Sequence, residues 1–366
     1  MIEINKLIQL LNKSGTDFFT GVPDSLLKEL SISLSKKAKN KHIIAVNEGA
    51  AVSIGIGYYL SHKKLPCIYM QNSGLSNAIN PLISIADKKV YSIPSILLIG
   101  WRGSPGKKDE PQHEVKGKIT KEILKLLKIK YVILKNNQSL KRFKVLLNSA
   151  KKNKFTIAGL IPQGVIKKGS GFIKKNKNKI DKLAVIKKIL ESSTNNTKII
   201  SSTGYNSREL FYLRKKYKFK KGKDFYLVGG MGHTSSITLG YSLNNKKKKI
   251  ICIDGDGSIL MHLGSLKTLS DFSTSNIKYV LLNNYVHDSV GGQPTNSEKI
   301  NFKLLSKSLG FKSYYKIENL KDLRSLKKII INKKTCFIEI KVKNSNMKNL
   351  PRPQKFLNVK NDFMKK

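Results

Sequence analysis

The stretch from Asp254 to Thr295, DGDGSILMHLGSLKTLSDFSTSNIKYVLLNNYVHDSVGGQPT, indicates the fold class of this chain. The apolar run Lys249 to Ile253 precedes it and is typical of a buried strand, and a helical segment then leads to a second apolar run, Tyr279 to Leu282. Parallel strands joined by a crossover helix place Asp256 and the pair Asn283-Asn284 at carboxyl strand ends. Open α/β sheets bind their ligands at that edge.

The side-chain oxygens of Asp and Asn suit a hard divalent cation that also holds phosphate oxygens. A calcium loop does not fit, because the sixth position counted from Asp254 is Ile259 instead of Gly and the twelfth is Ser265 instead of Glu. A solvated acidic turn without a ligand remains the alternative. The pattern therefore predicts a metal and phosphate site formed by a carboxylate of the Asp254–Gly257 turn and a carboxamide of the Asn283-Asn284 pair.

Length and composition indicate a globular protein. The 366 residues allow two to three domains with ample core. No run approaches the roughly 18 to 20 apolar residues of a membrane helix. The amino terminus carries Glu3 and resembles a short amphipathic helix instead of a signal peptide, so we expect a cytoplasmic location and no membrane partner. Cys67, Cys252 and Cys336 each lie in or beside an apolar run and are expected to be buried free thiols.

The formal net charge of +47 would by itself suggest a nucleic-acid partner. However, only six of the 70 basic residues are Arg, the residue that most often makes bidentate base and phosphate contacts. No zinc finger, helix-turn-helix or aromatic-interleaved basic motif is present. We therefore expect solvated lysine-rich surfaces, salt-sensitive binding to polyanions, and no specific nucleic-acid partner.

Apolar runs alternate with helix-length segments in both halves of the chain. This alternation predicts an α/β fold with two doubly wound parallel-sheet domains. The polar, lysine-rich segment 169–182 is typical of a linker. We therefore expect one domain over residues 1–168 and a second over 183–366.

The GDG turn followed by NN, with 25 residues between Gly257 and Asn283, resembles the diphosphate-binding motif of thiamine diphosphate enzymes. The resemblance implies that Asp256, Asn284 and the backbone oxygen of Val286 bind Mg²⁺. It also implies a set of cofactor-binding residues in the second half. These are Thr203, Gly204, Gly229, Met231, Gly255, Asp256, Gly257, Ser258 and Asn284, with Met231 as the apolar support of the cofactor.

The first half contains Val46-Asn47-Glu48-Gly49, which places a carboxylate after an apolar run. Without further context, such a Glu is most often a first-turn helix residue favoured by the helix dipole. The resemblance to thiamine diphosphate enzymes implies that Glu48 bonds the pyrimidine ring nitrogen and takes part in its proton transfer.

Longer motifs narrow the family. The segments GVPDS from Gly21, MQNSG from Met70, GWRG from Gly100, DEPQH from Asp109 and HDSVGGQPT from His287 resemble the phosphonopyruvate decarboxylase family over nearly the whole chain. This implies Mg²⁺- and thiamine diphosphate-dependent decarboxylation of 3-phosphonopyruvate to phosphonoacetaldehyde and CO₂, in phosphonate biosynthesis. Sulfopyruvate decarboxylase, or another 2-oxoacid decarboxylase or carboligase on the same scaffold, remains the alternative.

The same resemblance implies two domains without a central third one, and a homodimer or higher homo-oligomer with its sites between subunits. A small 2-oxoacid with two anionic groups needs cationic or donor-rich anchoring. Arg102 is the first candidate for the anion, although a surface ion pair would explain it equally well. His113 and His287 are the candidate catalytic histidines. Further substrate candidates are Asp24, Ser25, Asn72 and Gln293.

Overall fold

A computed structural model describes residues 1–167, 176–273, 276–345, 347 and 349–365. The chain divides into two compact units. Unit 1 comprises Met1–Ile173 and Val290–Gln293, and unit 2 comprises Lys174–Ser289 and Pro294–Lys366. Residues 169–175 of the predicted linker lie outside the described ranges, and the domain limits 1–168 and 183–366 stay a prediction.

Unit 1 is built from six strands and six helices within the described residues. The strands are β1 (Phe19–Gly21), β2 (His42–Ile44), β3 (Cys67–Gln71), β4 (Ile96–Trp101), β5 (Lys130–Ile133) and β6 (Ile157–Pro162). The helices are α1 (Ile4–Lys13), α2 (Lys28–Leu34), α3 (Glu48–His62), α4 (Leu75–Pro81), α5 (Pro111–Leu126) and α6 (Asn137–Asn153).

Unit 2 contains a second sheet, and a short two-stranded sheet follows its fourth strand along the chain. One residue of that short sheet, Gln293, is assigned to unit 1. The strands are β7 (Thr197–Ser201), β8 (Lys223–Tyr226), β9 (Lys249–Gly255), β10 (Asn276–Asn283), β11 (Val286–His287), β12 (Gln293–Pro294), β13 (Tyr314–Ile317) and β14 (Cys336–Lys341). The helices are α7 (Lys182–Glu191), α8 (Tyr205–Lys216), α9 (Thr234–Leu243), α10 (Asp256–Met261), α11 (Gly264–Phe272), α12 (Phe302–Ser308), α13 (Leu320–Leu323), α14 (Leu326–Ile331) and α15 (Phe356–Met364).

The two main sheets have the same topology. The strand order is β2-β1-β3-β4-β6-β5 in unit 1 and, in the same sense, β8-β7-β9-β10-β14-β13 in unit 2. Neighbouring strands are parallel in both sheets. The first strand of each unit lies between the second and the third, so the chain reverses its direction of winding there, which is where such folds bind ligands. The predicted α/β fold is confirmed.

Both faces of each sheet are covered by apolar side chains. In β3, Cys67 and Tyr69 belong to one core cluster, and Ile68 and Met70 belong to the cluster on the opposite face. In β9, alternate residues likewise separate into two clusters. Because successive side chains of a strand point to opposite faces, these continuous apolar runs are what a sheet buried on both sides requires.

The sequence patterns missed two strands of these sheets. β1 has only three residues, and its Gly21 is needed because a Cβ there would lie 2.1 Å from the carbonyl oxygen of Tyr69. β13 lies at the sheet edge, and its YYKI sequence has only one fully buried residue, Ile317. Neither segment forms an apolar run long enough to be recognised.

Three further expectations can be compared with the structure. The three cysteines are buried free thiols, as predicted. Within the described ranges, no helix combines the length and the apolar character needed to cross a bilayer. Most lysines are solvated, but Lys182, Lys198 and Lys278 are buried, which the charge pattern did not predict.

Candidate functional site

The predicted cofactor residues of unit 2 follow four adjacent strands, β8-β7-β9-β10. Ser201 at the end of β7 pairs with Ile253 of β9, and Leu282 of β10 pairs with Gly255. Thr203 and Gly204 follow β7, and the loop from Gly229 to Met231 follows β8. Asp256 follows β9 directly and Asn284 follows β10, so the parallel register brings these groups to one edge of the sheet.

Asp256 is the first residue of α10, and its carboxylate is buried. The expected acidic turn is therefore only a junction, because β9 ends at Gly255 and the helix begins at the next residue. Thr295 Oγ1 donates a hydrogen bond to Oδ2, and Ser297 Oγ donates another at 2.7 Å. Burial raises the pKa of Asp256, and these hydroxyl donors oppose that shift because they stabilise the charged form.

Asn284 and its neighbours form a second group at the end of β10. Asn284 Nδ2 donates to Asp288 Oδ2 at 3.3 Å, and Asn284 Oδ1 accepts from the N–H of Val286 at 3.2 Å. Asp288 also accepts from the backbone N–H of Ser345 at 2.6 Å, and Lys182 Nζ lies 3.9 Å from its carboxylate. Asn283 has other partners, since its Nδ2 donates to Glu339 Oε1 at 2.9 Å and its Oδ1 accepts from Ser297 Oγ at 3.0 Å.

The donor set of these residues fits Mg²⁺ bound to a diphosphate. Within the described residues, no three His, Cys, Asp or Glu side chains are grouped to hold a metal ion. The predicted site has one carboxylate, one carboxamide and one backbone carbonyl, and Mg²⁺ is usually held by one or two carboxylates together with water and substrate phosphates. The buried Asp256 carboxylate, with hydroxyl donors on one oxygen only, meets that requirement.

The loop after β7 presents backbone N–H groups at the same edge. Gly204 precedes α8 and has a φ of +87°, a backbone conformation that residues other than glycine rarely adopt. Helix α8 has twelve residues, and its first N–H groups have no partner within the helix. Such a helix start favours phosphate oxygens, which supports the predicted role of Thr203 and Gly204.

The loop after β8 is joined to α10 through Ser258. Its Oγ accepts the N–H of Gly232 at 3.1 Å, and Gly232 has a φ of +90°. A Cβ at Gly232 would lie 2.6 Å from the ring of His262, so only glycine fits. Met231, which lies next to Gly232 in the chain, is partly buried. The sequence predicted that β8 would end at Val228, but the strand ends at Tyr226.

His287 packs against the GDG segment. A Cβ on Gly257 would lie 2.8 Å from Cε1 of His287, so the imidazole lies directly on the glycine. Burial lowers the pKa of His287 to about 4, and the ring is therefore neutral at pH 7. It can act there as a neutral hydrogen-bonding group.

Unit 1 places its predicted site residues at the corresponding four strand ends, in the order β2-β1-β3-β4. Glu48 follows β2, Asp24 and Ser25 follow β1, Asn72 follows β3, and Arg102 follows β4. Gln71 of β3 pairs with Gly100 of β4, and Gly21 of β1 pairs with Tyr69 of β3. These side chains therefore collect at the carboxyl edge of the sheet.

Glu48 is buried at the first position of α3, with 5% of its surface exposed. The helix begins there because Asn47 Oδ1 accepts the N–H of Ala50 at 2.8 Å, which caps the first turn. Asn77 Nδ2 donates to Glu48 Oε2 at 3.1 Å. A Cβ on Gly74 would lie 2.0 Å from Glu48 Oε1. The carboxylate therefore packs against Gly74, where any larger residue would clash with it.

Asp24 is fully buried and accepts from Gln71 Nε2 at 2.6 Å and from the N–H of Leu26 at 3.2 Å. Burial raises the pKa of Asp24 to about 6, although Gln71 and the charge of Arg102 oppose the shift. A buried carboxyl group that titrates near neutrality can give or take a proton under working conditions.

Arg102 forms a fork with Asp109. Its Nε and Nη2 donate to the two carboxylate oxygens at 2.8 and 2.5 Å, and Nη1 donates to Ser25 Oγ at 3.1 Å. His113 Nδ1 lies 3.0 Å from Asp109 Oδ1. Burial favours a higher pKa of Asp109, but the bonds from Arg102 and His113 outweigh it and lower the pKa to about 2.

Asn72 holds the backbone of this loop. Its Nδ2 donates to the carbonyl of Arg102 at 2.9 Å and to Thr120 Oγ1 at 2.9 Å, and its Oδ1 accepts the N–H of Arg102 at 3.1 Å. The amide is thus bonded within the protein, which supports a role in positioning Arg102 more than direct contact with substrate. Its role as a substrate residue stays a prediction.

Gln293, assigned to unit 1, is 4% exposed, and neither Oε1 nor Nε2 has a hydrogen-bond partner within the described residues. A Cβ on Gly291 would lie 2.6 Å from Gln293 Nε2 and 3.0 Å from Lys28 Cγ, so this segment passes beside the start of α2. A buried amide without partners loses hydrogen bonds to water, and a polar ligand would restore them.

Several residues of these edges were not singled out from the sequence. Thr295 and Asp109 lie in quoted motifs, but no role followed from their position there. Gln71 lies in the quoted MQNSG motif and Asn77 follows it closely, again without an assigned role, and Ser297 gave no signal. A hydroxyl or amide in a loop or strand becomes informative only when its partner is known. Each of these five donates to or accepts from a predicted site residue.

Comparison with known proteins agrees with this geometry. Residues 5–123 match the thiamine pyrophosphate (thiamine diphosphate) enzyme N-terminal TPP-binding domain, and residues 203–340 match the corresponding C-terminal TPP-binding domain. The first match includes the carboxyl ends of β1 to β4, and the second includes those of β8 to β10 together with the loop after β7 from Thr203. They confirm the cofactor class that the motifs implied.

Curated relatives extend over most of the chain. A phosphonopyruvate decarboxylase from Streptomyces hygroscopicus is 30% identical over 88% of this chain and 83% of the relative. One from Streptomyces viridochromogenes is 28% identical over 97% of this chain and 92% of the relative. A sulfopyruvate decarboxylase from Methanosarcina acetivorans is 25% identical over 94% and 93%. The chain therefore belongs to the phosphonopyruvate decarboxylase family of thiamine pyrophosphate enzymes.

Proposed function

We propose that this protein decarboxylates 3-phosphonopyruvate to phosphonoacetaldehyde and CO₂, with thiamine diphosphate and Mg²⁺ as cofactors. The observation that carries the proposal is the similarity to two phosphonopyruvate decarboxylases over nearly the whole chain. Support comes from the two sheet edges, whose corresponding strand ends carry the predicted cofactor and substrate residues.

When bound, thiamine diphosphate supplies a nucleophilic carbon and accepts the electron pair that CO₂ leaves behind. In our proposal Asp256, Asn284 and the carbonyl of Val286 hold Mg²⁺. The start of α8 and the glycines after β7 and β9 receive the diphosphate. Met231 and the loop after β8 support the ring system, and His287 contributes a neutral polar contact.

Unit 1 residues bind the substrate and move protons. Glu48 is buried where it can share a proton with a ring nitrogen. Arg102 and Ser25 donate hydrogen bonds to an anionic group. Loss of CO₂ must be followed by addition of a proton to the same carbon, and two groups can supply it. Asp24 can supply it because burial raises its pKa to about 6, and His113 can supply it after its Nε2 has taken up a proton.

We also propose a homodimer or higher homo-oligomer in which the halves of each site come from different copies. The support is the resemblance to thiamine diphosphate enzymes. Sedimentation velocity with and without cofactor would give the assembly state, and a monomer at working concentrations would contradict it. The cytoplasmic location and the absence of a specific nucleic-acid partner stay predictions.

Turnover of three oxoacids tests the proposal. Purified full-length protein with Mg²⁺ and thiamine diphosphate is incubated with phosphonopyruvate, sulfopyruvate or pyruvate, and CO₂ and aldehyde are measured. We expect the highest kcat/KM with phosphonopyruvate, and we expect Glu48→Gln to lose most of this activity. Faster turnover of sulfopyruvate would favour the second candidate function, which the similarity to a sulfopyruvate decarboxylase supports. Turnover of pyruvate alone would overturn both.

A further inference from the structure

The buried carboxylate of Asp109 is bonded to several groups around the predicted substrate residues. Its side chain is 2% exposed and accepts five hydrogen bonds. Arg102 donates two, His113 is bonded through Nδ1, and the backbone N–H groups of Gly103 and Glu110 donate one each at 2.8 Å. The carboxylate thus joins two predicted substrate or catalytic side chains and the loop between them.

Resting on the function proposed above, we propose that Asp109 is the positioning residue of the substrate site. Its carboxylate fixes the Arg102 guanidinium and the His113 ring in one arrangement, and this leaves specific atoms of both for the substrate. Asp109 itself does not touch the substrate.

Arg102 keeps two donors for an anion. A guanidinium has five N–H groups. Asp109 accepts from two of them and Ser25 from a third, and the remaining two have no partner within the described residues. Because the fork is bidentate, the plane of the guanidinium cannot rotate, so these two N–H groups keep a fixed direction.

His113 is held in one tautomer. An ionised carboxylate only accepts hydrogen bonds, so Nδ1 of His113 must carry the proton that faces Asp109. Burial and the charge of Arg102 lower the pKa of His113, which favours the neutral ring. Its Nε2 then has a free lone pair and can accept a proton or a hydrogen bond.

Close backbone packing brings these groups together. A Cβ on Gly103 would lie 2.0 Å from the carbonyl oxygen of His113, and one on Gly117 would lie 1.7 Å from the carbonyl oxygen of Gly103. Trp101 Nε1 also donates to the carbonyl of Gly117 at 2.9 Å. The loop after β4 therefore lies directly on α5, the helix that carries His113.

The Arg214–Asp224 pair of unit 2 shows what a purely structural fork looks like. Arg214 Nε donates to Asp224 at 2.7 Å, Nη2 donates to the other carboxylate oxygen, and Nη1 donates to the carbonyls of Phe219 and Lys221 at 3.2 and 2.6 Å. The two carbonyl oxygens therefore occupy Nη1, the side of this guanidinium that does not face the carboxylate. In Arg102 the corresponding Nη1 donates to Ser25 Oγ alone within the described residues, so one of its N–H groups stays available, which is the difference expected for a binding residue.

Asp109→Asn tests the proposal, with Asp224→Asn as the matched control. An amide accepts fewer hydrogen bonds and presents N–H groups to donors, so the fork loosens. We expect kcat/KM for phosphonopyruvate to fall by on the order of 100-fold, mostly through KM, because small displacements of positioning groups cost that much. The control variant should stay within about twofold of the parent protein, the range expected of a change remote from the site.

Two measurements do not depend on turnover. Calorimetric titration with 3-phosphonopropanoate, which has no keto group to react, should show affinity reduced about as much as KM is raised. In protein labelled with ¹⁵N-histidine, the chain's six histidines allow the His113 tautomer to be read directly. We expect Nδ1–H in the parent and Nε2–H in Asp109→Asn, because Asn presents an N–H to Nδ1. The pH profile of kcat/KM should move in the same variant.

The outcomes separate this proposal from the proposed function. If the parent protein does not turn over phosphonopyruvate, but the analogue binds and Asp109→Asn weakens it, the function fails and the role of Asp109 stands. Unchanged analogue affinity together with an unchanged tautomer overturns the role of Asp109, whatever the activity. If Asp109→Asn does not fold, Asp109→Glu carries the test. It should keep the tautomer but weaken analogue binding, and parent-like binding would contradict the proposal.

Discussion

The carboxyl edges of the two sheets share one topology but carry different chemistry. In unit 2, the four adjacent strand ends present glycines, a helix start and a buried carboxylate that receives bonds from hydroxyl groups. In unit 1, the same four strand ends present Glu48, Asp24 and the Arg102–Asp109 fork. The fold thus determines where a site lies, and the residues after each strand determine the proposed role of each edge, which is phosphate binding in unit 2 and proton transfer in unit 1.

Among the variants that test this difference between the two units, Glu48→Gln should have the largest effect on turnover. The amide keeps the size and burial of Glu48 but cannot share a proton, so kcat should fall by on the order of 10²- to 10⁴-fold. Cofactor affinity, measured by calorimetry, should change little. Glu114→Gln is the control, because Glu114 also lies in the first turn of a helix but is exposed. Near-normal turnover in Glu48→Gln would remove the proton-transfer role from unit 1.

Asp256→Ala tests the binding role of unit 2. Losing the proposed metal ligand should weaken Mg²⁺-dependent cofactor binding by on the order of 10³-fold, since changes around metal ligands already cost 10- to 100-fold. The measurement is thiamine diphosphate affinity at several Mg²⁺ concentrations. Asp271→Ala removes an exposed carboxylate from the same unit and should leave the affinity unchanged. A change in substrate KM alone would contradict the metal assignment.

Asp24→Asn tests how much the buried carboxyl group of Asp24 changes the free energy of unfolding with pH. The pKa of Asp24 rises from 3.8 to about 6 on burial, so the protonated side chain stabilises the folded state below about pH 4. This contribution is lost as the pH rises through about 6, and it amounts to about 3 kcal/mol at 1.36 kcal/mol per pKa unit. The variant should therefore gain stability relative to the parent as the pH rises from 4 to 7 in denaturant unfolding experiments.

Asp17→Asn serves as the opposite case in the same unit. The Lys41 and Tyr58 hydrogen bonds hold the pKa of Asp17 well below its usual range. Removing that charge should destabilise the protein more at pH 7 than at low pH. If the stabilities of both variants show the same pH dependence, burial does not determine the pKa of Asp24.

Ser258→Ala should have the smallest effect of this series. Ser258 accepts one hydrogen bond from Gly232 and joins the loop after β8 to α10. Losing it should cost about 1 kcal/mol, a five- to tenfold weaker affinity for thiamine diphosphate. Ser84→Ala is the control, because Ser84 is exposed and its hydroxyl donates to Asn80 Oδ1 in unit 1, away from the predicted cofactor residues of unit 2. A loss as large as that of Asp256→Ala would mean that the loop after β8 dominates cofactor binding.

Much of the fold and part of the site followed from sequence patterns. Continuous apolar runs such as Lys249 to Ile253 predicted strands because a sheet covered on both faces needs apolar residues throughout. β1 and β13 were missed because three residues, or an edge strand with one buried side, leave no such run. The segments around Asp256, Asn284 and Glu48 were recognisable because their order along the chain and distance from strand ends are properties of the sequence.

The sequence by itself determined the family, the α/β architecture and the strand ends that carry the site, because these depend on local patterns and on motif order. The tertiary structure alone decided which side chains meet. It joined Asp109 to Arg102 and His113, placed Thr295 and Ser297 on Asp256, and left the amide of Gln293 without a partner within the described residues. Hydrogen bonds and burial depend on distances between residues far apart in the chain, and no local pattern encodes those distances.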